Sequence, residues 1–149
     1  MAEASEAGSG GVAARPLPDL DDPILQGFWE HTAKHELVVQ QCESCGAIVW
    51  PPRPGCPTCL SSSMTWMKVA GTGSLFSWTV IHHAALPYFT SKTPYTVGII
   101  ELPGVPVRMI GDVRVAEGTE LSVGMPMTVG FETVADCTLP YWEPSDAGR

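Results

Sequence analysis

Apolar positions change their period twice along this chain. Residues 1–18 carry no apolar periodicity, and a segment so rich in Ala, Gly, Ser, Glu and Pro cannot bury enough surface to offset its ordering entropy. They are expected to form a disordered tail. A helical spacing begins with Ile24, Leu25, Phe28 and Trp29. Asp21 or Asp22 is suited to cap it, and Pro23 sits in the first turn, where its missing N–H does no harm. This predicts an N-terminal helix within residues 19–35. From Glu36 the spacing shortens. Leu37-Val38-Val39 reads as a short strand and Met64–Val69 as the strand that closes a small ribbon over residues 36–70.

After Gly71-Thr72-Gly73 a period of two dominates. In Leu75–His82 the residues Phe76, Trp78, Val80 and His82 fall on one face, with Leu75, Ser77, Thr79 and Ile81 on the other. Further strands are predicted over Tyr95–Leu102, Val105–Val113 and Met127–Val134. The Gly104-Val105-Pro106 and Gly124-Met125-Pro126 steps punctuate them as turns or bulges. Five or so short strands in about 70 residues, without a second convincing helix, point to a small antiparallel barrel, closed or partly open, over residues 71–143, with 144–149 as a C-terminal tail.

Charge narrows the range of partners. The 149 residues hold 8 Lys plus Arg against 16 Asp plus Glu, a net charge of −8, and the basic residues are scattered. Affinity for nucleic acid or an anionic membrane comes from clustered cations, so neither is expected as a partner. No apolar run approaches the ~20 residues that span a bilayer, and the N-terminus has no signal-type pattern, so the expected location is cytoplasmic.

Four of the five cysteines, Cys42, Cys45, Cys56 and Cys59, form C-x2-C-x10-C-x2-C. In a reducing compartment, two such pairs read as thiolate ligands of a metal rather than as disulfides. Gly46 follows the first pair, where a tight turn needs positive φ. Pro51, Pro52 and Pro54 stiffen the excursion to the second pair and lower the cost of gathering four sulfurs. Structural zinc is the expected occupant and a rubredoxin-type iron centre its competitor. Four thiolates leave no open coordination position for activated water.

Other features carry blander readings. Gly71-Thr72-Gly73 lacks the Lys of a phosphate loop and is a turn. His31 and His35 lack further ligands nearby, His82-His83 ends a strand, and Cys137 has no sequence sign of activation. No catalytic residue is expected. The aromatic set Phe76, Trp78, Tyr88, Phe89 and Tyr95 reads as barrel core, except that part of the Ala84–Thr93 loop is free to face a partner or an acyl chain.

The order of these parts resembles a known family. The landmarks are Phe28-Trp29-Glu30, Gln41 before the Cys42 to Gly46 knuckle, Pro51-Pro52-Arg53 and Cys56-Pro57-Thr58-Cys59. They continue with Gly71 and Gly73, Pro94-Tyr95, Glu101-Leu102, Val123-Gly124-Met125-Pro126 and Phe131-Glu132. Over Ile24–Glu143 the chain is similar to the rubredoxin-like zinc ribbon plus OB-fold proteins of domain-of-unknown-function family thirty-five, which are acyl-CoA-associated. The resemblance implies a non-catalytic companion of a thiolase-fold enzyme, either a thiolase or a lipid-transfer-protein-like aldolase of steroid side-chain CoA thioesters. It implies a hetero-oligomer with acyl-CoA at or near the shared interface. Within that frame Tyr88 and Phe89 are the expected interface anchors, and Lys92, Arg108 and Arg114 the cations available to CoA phosphates. The competing reading is a stand-alone ribbon and OB-fold module for nucleic acid.

Overall fold

The computed structural model describes residues 13–145. Of the expected 1–18 tail, residues 1–12 lie outside it, as do residues 146–149 of the expected C-terminal tail. Residues 13–18 have no regular secondary structure, and Arg15 reaches Glu132 at 2.9 Å.

Asp22 organises the first turn. Its carboxylate accepts the Ile24 N–H at 2.8 Å, and its carbonyl accepts those of Leu25 and Gln26. The helix that follows, α1 (Gln26–Thr32), is shorter than the 19–35 span because Pro23, Ile24 and Leu25 are spent in this turn. Phe28 is buried against Trp50 and Trp66, with ring centroids 5.4 and 6.4 Å away. The Trp66 indole fills the space in which a Cβ at Gly27 would sit, so residue 27 must lack a side chain.

The ribbon contains β1 (Val38–Cys42), β2 (Ile48–Val49) and β3 (Met64–Lys68) in the order β2-β1-β3, all antiparallel. Buried Gln40 accepts the Arg53 N–H through its side-chain oxygen at 2.7 Å, which ties the proline-rich excursion to β1.

The second unit is a closed five-stranded barrel in the order β4-β5-β6-β8-β7, returning to β4. Its strands are β4 (Thr72–Ile81), β5 (Tyr95–Glu101), β6 (Arg108–Val113), β7 (Pro126–Val134) and β8 (Cys137–Pro144). A four-residue helix, α2 (Pro87–Thr90), lies in the β4–β5 loop. Only the β6–β8 contact, Val113 against Trp142, is parallel. This order closes the sheet on itself and removes its edges.

Two expectations need correction. Pairing shifts between Leu75 and Ser77, which are opposite Ile100 and Ile99, so Phe76 is the extra residue of a β-bulge. The bulge turns Phe76 outward at 42% exposure, while Leu75 and Trp78 join the core. Strict alternation groups Phe76 with Trp78, and the bulge separates them. The second correction is β8, the fifth wall of the barrel, whose residues the alternation pattern does not mark as a strand. Its hairpin with β7 turns on Ala135-Asp136, with Ala135 at φ +54°, and Pro140 lies inside the strand opposite Phe131. Neither the turn pair nor the internal proline is a strand signal.

Leu75, Ile100 and Met127 are fully buried at the barrel centre with Met109, Val113 and Trp142 around them, in one cluster with Phe28, Leu37, Val38 and Val39 of the ribbon side. His35, at φ +59°, stacks on Phe131 of β7 at 5.2 Å. The ribbon is thus held on the barrel by a shared core.

Candidate metal centre and partner-facing surface

The two cysteine knuckles are built alike. In the first, the Gly46 N–H bonds the Cys42 carbonyl at 2.9 Å, with Gly46 at φ +74°. In the second, the Leu60 N–H bonds the Cys56 carbonyl at 3.0 Å, with Leu60 at φ +63°. Each turn brings its two thiols to the same side. The Cys42 and Cys59 sulfurs are 3.6 Å apart, those of Cys45 and Cys56 are 3.7 Å apart, and all four lie within 4.8 Å of one another. Cys42 and Cys56 are buried, whereas Cys45 and Cys59 face solvent.

Backbone amides prepare two of the thiols for ionisation. The N–H groups of Cys45 and Ser44 hold the Cys42 thiol below its ordinary value. Those of Cys59 and Thr58 bring Cys56 down to about 6. For Cys45, the Ala47 N–H favours the thiolate, but Cys59, burial, Cys56 and Cys42 together push it up to about 12. Four sulfurs this close cannot all ionise beside one another unless a cation balances them. Four thiolates around one point form the tetrahedral donor set of structural zinc. The residues therefore fit the metal expected from their spacing.

The other candidates occupy different places. His31 Nδ1 pairs with Glu36 at 2.8 Å, and Glu36 also pairs with Lys68, so its carboxyl lies below the ordinary range, first through Lys68 and then through His31. Cys137 is buried and its thiol is raised by desolvation and by Asp136, the reverse of an activated nucleophile. His82 and His83 are both exposed at the end of β4.

Tyr88 and Phe89 are half-buried in α2. Their rings meet edge to face at 5.1 Å, and Phe89 packs on Tyr95 at 5.8 Å. The exposed large apolar residue of this loop is Leu86, at 52%. The three predicted cations do not converge. Arg108, at the start of β6, pairs with Glu101 at 2.8 Å and covers the Phe76 ring at 3.6 Å. Arg114, just past the other end of β6, is held by Asp112 and Glu132 and lies 3.8 Å over Tyr141. Lys92 is exposed, 5.6 Å from the Tyr88 centroid. Sequence reasoning missed Arg15, which links Glu132 to the Tyr88 ring at 5.9 Å, because it falls in a segment of low-complexity composition. It also missed the outward pair Ile99 and Ile110, directly opposite each other on β5 and β6, with Ile110 73% exposed.

Family profiles described as "ChsH2, rubredoxin-like zinc ribbon domain" and "ChsH2, C-terminal OB-fold domain" match residues 29–65 and 66–132. The solved "Ltp2-ChsH2(DUF35) aldolase" contains a chain 30% identical to this one, superposing with a TM-score of 0.74 over 87% of this chain and 98% of that one. The chain belongs to the ChsH2 family. Two longer proteins are also similar. A "Probable enoyl-CoA hydratase alpha subunit" of Thermomonospora curvata is 33% identical over 89% of this chain and 41% of its own length. The "3-oxo-4,17-pregnadiene-20-carboxyl-CoA hydratase alpha subunit" of Mycobacterium tuberculosis is 32% identical over 80% of this chain and 37% of its own. The present ChsH2-family chain therefore matches about two fifths of the length of these curated relatives. Among the described residues, no helix is long and apolar enough to cross a membrane.

Proposed function

We propose that this chain is the non-catalytic ribbon-and-barrel subunit of a cytosolic hetero-oligomer. Its partner is a thiolase-fold enzyme, an aldolase or thiolase acting on acyl-CoA thioesters that include steroid side-chain CoA. The observation that carries this reading is the likeness, over nearly its whole length, to the ChsH2 chain of a two-protein aldolase. Cys42, Cys45, Cys56 and Cys59 hold one zinc ion. The ion is coordinatively closed and serves to fold the two knuckles rather than to activate water. The nucleophile and base belong to the partner. Tyr88 and Phe89 contribute to the interface, and Lys92, exposed beside the Tyr88 ring, supplies positive charge toward the CoA phosphates, whereas Arg108 and Arg114 are engaged by carboxylates in separate places. The net charge of −8 weighs against the nucleic-acid reading.

Co-expression with an Ltp2-type subunit of the source organism tests this directly. The two chains should co-elute, the complex should cleave an acyl-CoA thioester, and the isolated ribbon-and-barrel chain should turn over none. Separate elution, or turnover by the isolated chain, would overturn the proposal.

A further inference from the structure

Leu60 is at odds with its surroundings. It is the residue after the second cysteine pair, and its backbone repeats that of Gly46 after the first, with the same amide-to-carbonyl closure and a φ of +63° against +74°. Glycine occupies such a position without steric cost, whereas a Cβ is crowded against the following carbonyl. An exposed leucine needs no explanation in itself. Leu60, however, is 86% exposed, the largest exposure among the large apolar residues described, so packing among the described residues does not compensate for the strained backbone. A side chain that strains its own turn and has no support among the described residues is explained by a contact beyond them.

The surroundings of Leu60 are suited to such a contact. Between Glu43, which accepts a hydrogen bond from the Ser63 hydroxyl, and Lys68 the sequence holds one charged side chain, Arg53, in a chain that is otherwise strongly acidic. Pro57, Thr58 and Cys59 beside Leu60 are all exposed. Depletion of charge around an apolar projection is the compositional mark of an interface core, and here it lies on the ribbon, away from the predicted anchors in α2. The acidic remainder of the chain disfavours a second copy as the occupant, because two bodies of charge −8 repel. We propose that Leu60 is a hydrophobic anchor by which the ribbon docks into an apolar pocket of the partner subunit. This rests on the subunit reading above and adds to it a second contact point, separate from α2.

The test uses the full chain and the Ltp2-type subunit of the source organism, with affinity measured by titration calorimetry and stability by thermal unfolding in the presence of zinc. Leu60→Gly should weaken the complex by about tenfold or more, in the range of a buried apolar anchor. The same change should raise the melting temperature of the isolated chain by about 2 °C, because it relieves the strained φ. Leu60→Ala, which removes the anchor but keeps the Cβ, should lose affinity similarly without the gain in melting temperature, and Leu60→Met should retain affinity. If the Gly and Ala variants bind as the wild type does, the anchor is refuted and the subunit reading stands. If Leu60→Gly lowers the melting temperature, Leu60 packs within its own chain and the anchor is again refuted. If the wild-type chain fails to bind the subunit, the subunit reading falls and the anchor with it.

Discussion

Gly98 offers a quantitative test of how the barrel closes. It is buried on β5 opposite Gly111 of β6, and a Cβ there would lie 2.5 Å from Val113 Cγ2 and 3.1 Å from Leu75 Cδ1. Replacing it with Ala gains about 0.5–1 kcal/mol from the reduced backbone entropy of the unfolded chain. It forces a methyl group into a filled space, which costs about 1–3 kcal/mol. The net destabilisation expected for Gly98→Ala is therefore about 1–2 kcal/mol. For a chain of this size that is a fall of roughly 3–6 °C in melting temperature. Val113→Ala alone should cost about 2 kcal/mol by leaving a cavity beside Trp142. In the double variant the new methyl occupies part of the space Val113 vacates, so the two costs should fall short of their sum by about 1 kcal/mol. Urea unfolding of the four proteins, with zinc present throughout, gives this coupling directly. Additivity within about 0.5 kcal/mol would mean that residues 98 and 113 do not meet inside the barrel and would refute the packing described.

Three further outcomes follow from the same structure. Cys56→Ser should reduce zinc from one equivalent per chain to well below it by elemental analysis and should disorder the ribbon, because apparent zinc-binding energies of about 10–16 kcal/mol are part of the folding energy of such small metal units; full zinc content in the variant would remove Cys56 from the ligand set. Arg114, with Arg15 in support, holds the Glu132 carboxyl below its ordinary 4.5, so its contribution is present above that pH and lost as pH falls through the lower folded value. Glu132→Gln should therefore cost under about 1 kcal/mol at pH 7, since the pair is partly exposed, and the gap to wild type should close below pH ~4.5; a gap that persists in acid would point to packing instead. Tyr88→Ala combined with Phe89→Ala should weaken partner binding about tenfold while zinc content stays at one equivalent, and unchanged affinity would take α2 out of the interface.

The parts of this chain that proved legible are those in which one local signal had one structural solution. The paired cysteines with Gly46 and the intervening prolines foretold four converging sulfurs. The Gly- and Pro-bounded alternating runs foretold β5, β6 and β7. The failures came where tertiary context decides. The bulge at Phe76 adds one residue to a strand whose alternation reads perfectly well without it, and only the pairing with Ile99 and Ile100 reveals the slip. The last strand, β8, hides behind a turn without Gly or Asn and carries Pro140, which the barrel tolerates through its pairing opposite Phe131. The cations Arg108 and Arg114 stand six residues apart in sequence, yet they point to separate neighbourhoods because a whole strand lies between them. Leu60 was passed over because the second cysteine pair satisfies its metal motif whatever residue follows it, and its positive φ exists only in the folded knuckle.

The central claim is that this chain works as one half of a two-protein acyl-CoA enzyme. The most direct test is mass spectrometry and acyl-CoA turnover on the affinity-purified native complex, set beside the isolated chain. A thiolase-fold subunit in fixed stoichiometry, with cleavage of the thioester substrate only when both chains are present, is the predicted result. Recovery of the chain alone with full activity, or with no thiolase-fold protein bound, would contradict it.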